Sequence, residues 1–232
     1  MAAMTKQATE NQALSEKQPN GRSYGGKTLS ERKALRRKQF LEAGVELFGT
    51  EVYRATTVRT ICKQAKLTDR YFYESFGNLE SLVIAVYEDC MGSLTNAVLE
   101  TIRHTYQSGS ALEAMEAGLD RYFQMLENSK VAQICMIELE GISPEVNKLY
   151  NAYIRSFATI LSELARQAFP EWKLDAAERE VIGISLVGAL RQSSTHWLMT
   201  DYAAPRHAMV AGTMKLFTGL INHLNDTCSE GA

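Results

Sequence analysis

The stretch from Thr57 to Phe76, TVRTICKQAKLTDRYFYESF, leaves this chain few ways to fold. Val58, Ile61, Cys62 and Ala65 fall at i, i+3, i+4 and i+7, which is one apolar stripe of an amphipathic helix. A three-residue turn follows. The next helix has only Phe72 and Phe76 to bury, with Leu67 of the turn on the same face. Every other position from Thr68 to Ser75 is polar, charged or a tyrosine, so most of that helix is free to touch something else. Upstream, Phe40, Ala43, Gly44 and Leu47 repeat the same period, as the first of three helices sharing one small core. Downstream, Asn78 is placed to cap a new helix, and Val83, Val86, Tyr87 and Cys90 continue an apolar face.

Helix pairs built this way read duplex DNA by laying the second helix in the major groove. Residues 31–90 resemble the N-terminal domain of the TetR (AcrR-type) family of bacterial transcriptional regulators. The likeness runs through AGVELFGTEVYRATTVRTI, the Tyr73 and Phe76 pair, and the helix that begins near Asn78. Lys66 stands where the family's turn usually holds a glycine, and a left-handed residue other than glycine costs on the order of 1–2 kcal/mol. Ser75 replaces the usual histidine, Leu79 the usual phosphate-contacting lysine, and Tyr71 a residue that is commonly small. From their outward, N-terminal positions on the helix pair, Arg59, Thr68, Asp69, Arg70 and Tyr71 are expected to face base edges. Thr57, Tyr73 and Asn78 are expected to hold phosphates through hydroxyl, amide and helix-end donors.

Charge is distributed in the same sense. Residues 1–80 carry 14 Lys and Arg against 9 Asp and Glu, a balance of +5, whereas the remainder carries −7. A basic small end on an acidic large end suits a DNA-binding head on a body that does not touch DNA. The 232 residues suit a small domain fused to a larger one. No Val/Ile/Thr-rich alternation appears, so the expected fold is all-α. No uncharged run much exceeds ten residues, where a membrane span needs about twenty, and no secretory signal is visible. Cys62, Cys90, Cys135 and Cys228 are widely spaced without a CxxC pair. That usage fits small buried hydrophobes in a reducing, cytoplasmic compartment.

Local signals divide the chain into a polar arm over residues 1–28, a helix-turn-helix domain over 29–77 and a larger helical domain over 78–232. About nine helices are expected. Ser30 reads as the first cap; the arm before it is expected to be a disordered tail, the rival reading being that Arg22, Lys27 and Gly25-Gly26 track phosphates or enter a minor groove. A long helix from Asn78 ends near Tyr106, and it is expected to be the element that alone joins head to body. Ser110 to Glu113 forms a capping box, a segment follows over about Lys130–Glu140, and Ser143-Pro144-Glu145 starts a helix that ends near Phe169. Asp175 and Glu178 open another through Met199. Pro205 begins the last, which ends near Asn225.

Two of these helices read as a pairing surface. Gly183, Ser185, Gly188 and Ala189 are small, and helix glycines cost about 1 kcal/mol each against alanine, so a close packing partner is expected. In the resembled family the last two long helices pair with their mates in a second subunit, which implies a homodimer on a two-fold operator. The resemblance also implies that the middle helices enclose a pocket for a small, largely hydrophobic effector. Candidate lining residues are Met91, Leu94, Tyr122, Met125, Met136, Tyr153, Phe157, His196 and Trp197. Arg121, Arg155 and Arg191 could meet a carboxylate.

Enzyme chemistry has no visible home. His104, His196, His207 and His223 lack metal-ligand spacing, and no GxxxxGK, GxGxxG or GxSxG motif occurs. Ser193 and Ser194 lie too close to His196 on one helix for triad geometry. No cofactor and no metal are expected. The expected function is a homodimeric, cytoplasmic DNA-binding regulator, a repressor released from a palindromic operator by its effector. The rival readings are a helical small-molecule carrier and a dimeric interaction protein whose DNA binding is weak or lost.

Overall fold

The computed structural model describes residues 28–50, 53–138 and 141–230. Among these residues the chain forms nine α-helices and no strand. The head comprises α1 (Leu29–Phe48), α2 (Val58–Ala65) and α3 (Asp69–Ser75). The body comprises α4 (Leu79–Tyr106), α5 (Ala111–Leu126), α6 (Ser129–Gln133), α7 (Pro144–Ala168), α8 (Ala176–Met199) and α9 (Arg206–Glu230). The arm with Arg22 and Lys27 lies outside the described residues.

Capping residues set most of the helix starts. Thr57, Ser110 and Asp175 each form a reciprocal box with the residue three positions on, and Asn78 and Ser143 accept from the backbone of Ser81 and Val146. The first helix is capped by Thr28 rather than Ser30. The box needs an acid three residues after the hydroxyl, and Glu31 stands in that relation to Thr28, whereas Ser30 would meet Lys33. The last helix runs to Glu230, past the expected end near Asn225.

Phe40, Phe72 and Phe76 hold the head together. Their rings meet edge to face, with centroids 5.5 Å apart for Phe40–Phe72 and 6.3 Å for Phe40–Phe76. Phe48, fully buried, completes the α1 stripe in place of the half-buried Leu47. In the turn Lys66 adopts the left-handed conformation, φ 55° and ψ 38°, and its N–H donates to the carbonyls of Cys62 and Lys63.

In the body, α4 packs along α5, and α7 along α8. An 18-residue window of α4 has a mean hydropathy of 1.3, so α4 is long and apolar enough by composition to cross a bilayer. Here that apolar surface is spent on protein: Leu82, Val83, Val86, Tyr87, Cys90, Met91 and Leu94 are all buried.

Contrary to expectation, α4 is not alone in joining head to body. The C-terminal end of α1 docks on α6, where a Cβ at Gly49 would lie 2.4 Å from that of Lys130. The Lys130 ammonium reaches both carboxylate oxygens of Glu46, at 2.7 and 2.6 Å. Within the body, the Ser143 hydroxyl at the start of α7 donates to Glu80 in the first turn of α4, which fixes the end of α4 that adjoins the head. Neither tie has a local sequence signature.

Lys66→Gly should stabilise the head. It removes about 1–2 kcal/mol of left-handed strain, of which roughly 0.5–1 kcal/mol is offset by the extra entropy of an unfolded glycine. The expected outcome is a small rise in the denaturation midpoint, and an unchanged or lower midpoint would contradict the strain argument.

A candidate DNA-reading head and an effector cavity

The outward surface of α2 and α3 carries Arg59, Thr68, Asp69, Arg70 and Tyr73, all exposed. Thr68 is the N-cap of α3, yet its side chain makes no capping hydrogen bond, so its hydroxyl remains available to an outside partner. The Arg70 guanidinium is held by Glu74 at 2.9 Å while its side chain stays 83% exposed. Thr57 is engaged in its box with Thr60. The Asn78 carbonyl oxygen accepts from the Ser81 N–H and hydroxyl, at 2.7 and 3.0 Å, which turns its amide N–H₂ outward.

Tyr71 is placed differently from its expected role. It is half-buried, and its ring lies under the Arg36 guanidinium of α1, 4.0 Å from centroid to carbon. Together with Leu29, Arg32, Lys33, Arg70 and Glu74 it forms a basic groove between α1 and α3. Arg37 makes the matching contact at the other end of α3. It lies 4.4 Å above Phe76 and donates to the Ser75 carbonyl at 3.1 Å. The charged residues of α1 were legible as a basic run, but their pairing with α3 aromatics depends on how the two helices cross.

The body encloses an elongated cavity of about 590 Å³. Tyr87, Met91, Leu94, Val98 and Ile102 line it along α4. Fifteen helical steps from Tyr87 to Ile102, at about 1.5 Å each, make that wall roughly 22 Å long. Met115 and Tyr122 of α5, and Tyr153, Phe157 and Leu161 of α7, face it from the other sides. Beyond α6 the helix widens into a single π turn, Ile134–Glu138, and this turn sets Cys135 and Met136 in the wall. Such turns occur mostly within α-helices and often at functional sites.

The cavity's inner end holds a small polar cluster. The Tyr122 hydroxyl and Ser194 hydroxyl are 3.0 Å apart, and Arg191 donates to the Met136 carbonyl at 2.8 Å. Burial pushes the Tyr122 phenol well above its ordinary value, so it remains a neutral hydrogen-bonding group. The opposite end is cationic, with Arg103, Arg166 and Arg179 beside Gln107 and Gln167. Arg166 is clasped by Glu163, whose carboxyl it holds down at about 2, and Arg179 donates to the Leu174 carbonyl.

Of the expected lining residues, Met91, Leu94, Tyr122, Met136, Tyr153 and Phe157 face the cavity. Met125, His196 and Trp197 do not. Met125 is half-buried against the core, and His196 is exposed. Trp197 is a core residue wedged between Phe123 and Tyr202, with its indole N–H donating to the Ala204 carbonyl at 2.6 Å. Arg191 lines the cavity, whereas Arg121 binds Gln124 and Arg155 is exposed. Among the described residues no group of three His, Cys, Asp or Glu side chains is gathered as a metal site would require.

The small residues of α8 split between two faces. Gly183 is buried against α7 of its own chain, where an added Cβ would sit 2.9 Å from the Ala158 carbonyl oxygen. It therefore serves packing within the chain and not a surface between subunits. Ser185 and Gly188 are exposed, Ala189 is half-buried, and a Cβ at Gly188 would meet nothing within 4 Å. Around them the exposed face continues through Val181 and Ile184 of α8, and α9 adds Gly212, Leu216 and Gly219.

Residues 40–86 match the sequence profile of the bacterial regulatory proteins of the tetR family. In its head this chain is similar to the tetR family. The chain is 21% identical over 187 residues to a fatty acid metabolism regulator protein of Bacillus subtilis (strain 168), covering 80% of this chain and 95% of that protein. Its fold is similar to the fatty acid degradation regulator FadR of Bacillus halodurans, with a TM-score of 0.68 and 20% identity over 78% of this chain and 93% of that one. It is also similar to the transcriptional regulator FadR of Bacillus subtilis in complex with stearoyl-CoA, with a TM-score of 0.66 and 20% identity over 77% and 96% of the two chains.

Gly183→Val should destabilise the chain by about 1–3 kcal/mol, the usual cost of overpacking a close contact. Chemical denaturation measures it. A variant of wild-type stability would mean that α7 and α8 part more easily than their backbone contact implies.

Proposed function

We propose that this chain is a homodimeric repressor that leaves a palindromic operator when an amphipathic acyl compound enters the body cavity. The observation that carries the proposal is the cavity itself. It is long, apolar and rich in Met and aromatic side chains along its length, and cationic at one end. Such a shape suits an alkyl chain with an anionic head. The stearoyl-CoA bound by the FadR of Bacillus subtilis is a compound of that chemistry. Of the three arginines at the cationic end, Arg103 makes no side-chain hydrogen bond or ion pair among the described residues, so it is the one free to meet the head.

In this reading Arg59, Thr68, Asp69 and Arg70 address base edges, and Thr57, Tyr73 and Asn78 hold phosphates. Tyr71 serves indirectly, steadying Arg36 for the backbone. Two heads must sit about 34 Å apart, or a multiple of that, to meet successive turns of B-DNA. The exposed small-residue faces of α8 and α9 would supply the two-fold contact. Gly183, packed within the chain, takes no part in it. Release follows if the ligand binds the DNA-incompetent arrangement better, with coupling of about 1–3 kcal/mol. Both α4 and the α1–α6 dock would convey it. A DNA-binding regulator of this kind works in the cytoplasm.

The test begins with a palindromic element upstream of the chain's own gene or a neighbouring one. Arg70→Ala should weaken binding to it by about 1–3 kcal/mol and relax one operator position, as read by fluorescence anisotropy on single-base variants. Unchanged affinity and preference would remove Arg70 from the readout set.

Stearoyl-CoA should release the operator from the wild-type chain but not from Leu161→Trp, whose indole fills the cavity's middle. Arg103→Ala should weaken the thioester at least tenfold more than it weakens stearyl alcohol, measured by calorimetry. Release of the filled-cavity variant at wild-type ligand concentrations would place the effector elsewhere.

Gly188→Arg should yield monomers by light scattering, because a close contact cannot admit the new side chain. A dimer of wild-type stability would rule out this pairing surface.

A further inference from the structure

The inner end of the cavity carries more hydroxyl groups than a plain alkyl chain can use. Tyr87 of α4, Tyr122 of α5, and Tyr150 and Tyr153 of α7 all line it. Contacts join them to one cluster. The Tyr87 ring meets Tyr153 edge to face, with centroids 5.3 Å apart. Arg191 lies 5.0 Å from the centre of the Tyr150 ring and donates to the Met136 carbonyl at 2.8 Å. The Tyr122 hydroxyl in turn lies 3.9 Å from the Met136 sulfur.

Tyr87 stands apart within this cluster. It is only 1% exposed, yet its hydroxyl makes no hydrogen bond among the described residues. Buried polar groups in folded proteins are nearly always paired, so a buried hydroxyl without a partner at a cavity wall points to a partner from outside the chain. Burial raises the Tyr87 and Tyr122 phenols above their ordinary values, and both stay protonated at neutral pH.

The protons decide what that partner can be. The Ser194 hydroxyl gives its single proton to the Leu190 carbonyl at 2.8 Å, so in its 3.0 Å contact with Tyr122 it accepts. The Tyr122 proton is thereby committed, and its oxygen has lone pairs left to accept with. Tyr87 still has a proton to give. The inner end therefore offers a donor and an acceptor beside a guanidinium.

We propose that this end is a subsite for a hydroxyl at the far end of the effector's chain, so that the effector is an ω-hydroxyacyl compound whose terminal oxygen accepts from Tyr87. A methyl end would leave the Tyr87 hydroxyl unpaired. A carboxylate has no proton for the Tyr122 oxygen, and an ammonium would meet the Arg191 charge. A pocket built to hydrogen-bond a hydroxyl rejects the analogue that lacks it, because the pocket's own polar groups are then stranded. The acyl chain and the placing of its head at the far, cationic end rest on the proposed function.

The experiment measures, by calorimetry on the full-length protein, ω-hydroxyacyl-CoA thioesters from myristoyl to stearoyl, each against its unhydroxylated thioester. At the best-fitting length the hydroxylated compound should bind at least about tenfold more tightly. The ω-carboxyacyl thioester of that length should bind more weakly than the ω-hydroxyacyl one. Tyr87→Phe removes one oxygen and no packing volume, and it should bring the ratio of the paired affinities close to one. Should that variant misfold, Tyr122→Phe, which removes the acceptor, decides by the same ratio.

Unhydroxylated thioesters binding as tightly at every length, a ratio unchanged in the folded Tyr87→Phe protein, or tighter binding of the ω-carboxyl compound would overturn the proposal. If unhydroxylated thioesters bind and release the operator while the hydroxyl gains nothing, only the subsite falls. If no thioester of either kind binds, the proposed function falls with it.

Discussion

One helix carries a single hydrophobic core from the head into the body, and the remaining architecture is arranged around that demand. The first turns of α4 place Leu82, Val83 and Val86 under the head, and the next place Cys90, Met91 and Leu94 in the body. Each set contributes about 1.5–3 kcal/mol per fully buried side chain, so neither end can move without disturbing the other. Native cores are close-packed and resist small deformations. A shift of α4 is therefore passed on rather than absorbed.

Two polar ties sharpen this coupling. The Lys130–Glu46 pair joins α6 to α1, and the Ser143–Glu80 hydrogen bond joins the start of α7 to that of α4. The ion pair is partly exposed, so by itself it adds no more than about 1 kcal/mol. Its importance is positional, since it sits beside the backbone contact at Gly49 and lies on a second path between cavity and head. The π turn is continuous with α6, so the cavity wall at Cys135 and Met136 connects to the head through that path as well.

What could be read from the sequence follows the range of the interaction concerned. Helix starts at Asn78, Ser110, Ser143 and Asp175 were legible because a cap is chosen within four residues of itself. Thr28 and not Ser30 is the first cap because the reciprocal box needs an acid three residues on, and Glu31 supplies it only to Thr28. The aromatic core of the head was legible from period alone. Tyr71 was not, because its orientation is set by Arg36 on another helix. The same holds for Gly183 and Gly188. Both are small helix residues, and only the packing of α7 shows that one faces inward and the other outward. Trp197 and His196 looked like cavity residues by type, but the rotation of α8 buries the first behind Phe123 and leaves the second in solvent.

The close approach of Gly49 to Lys130 also limits how this molecule can be recombined. A Cβ there would overlap the backbone of α6, so the end of α1 and the start of α6 fit each other as a matched pair of shapes. A hybrid that took its first three helices from one regulator and its body from another would inherit a seam in two places, one within α4 and one across this contact. Choosing the crossover by sequence position alone would repair only the first. Transplanting this head onto a new sensor, or this sensor beneath a new head, therefore requires carrying α6 with α1, although Gly49 and Ser129 are 80 positions apart in the chain.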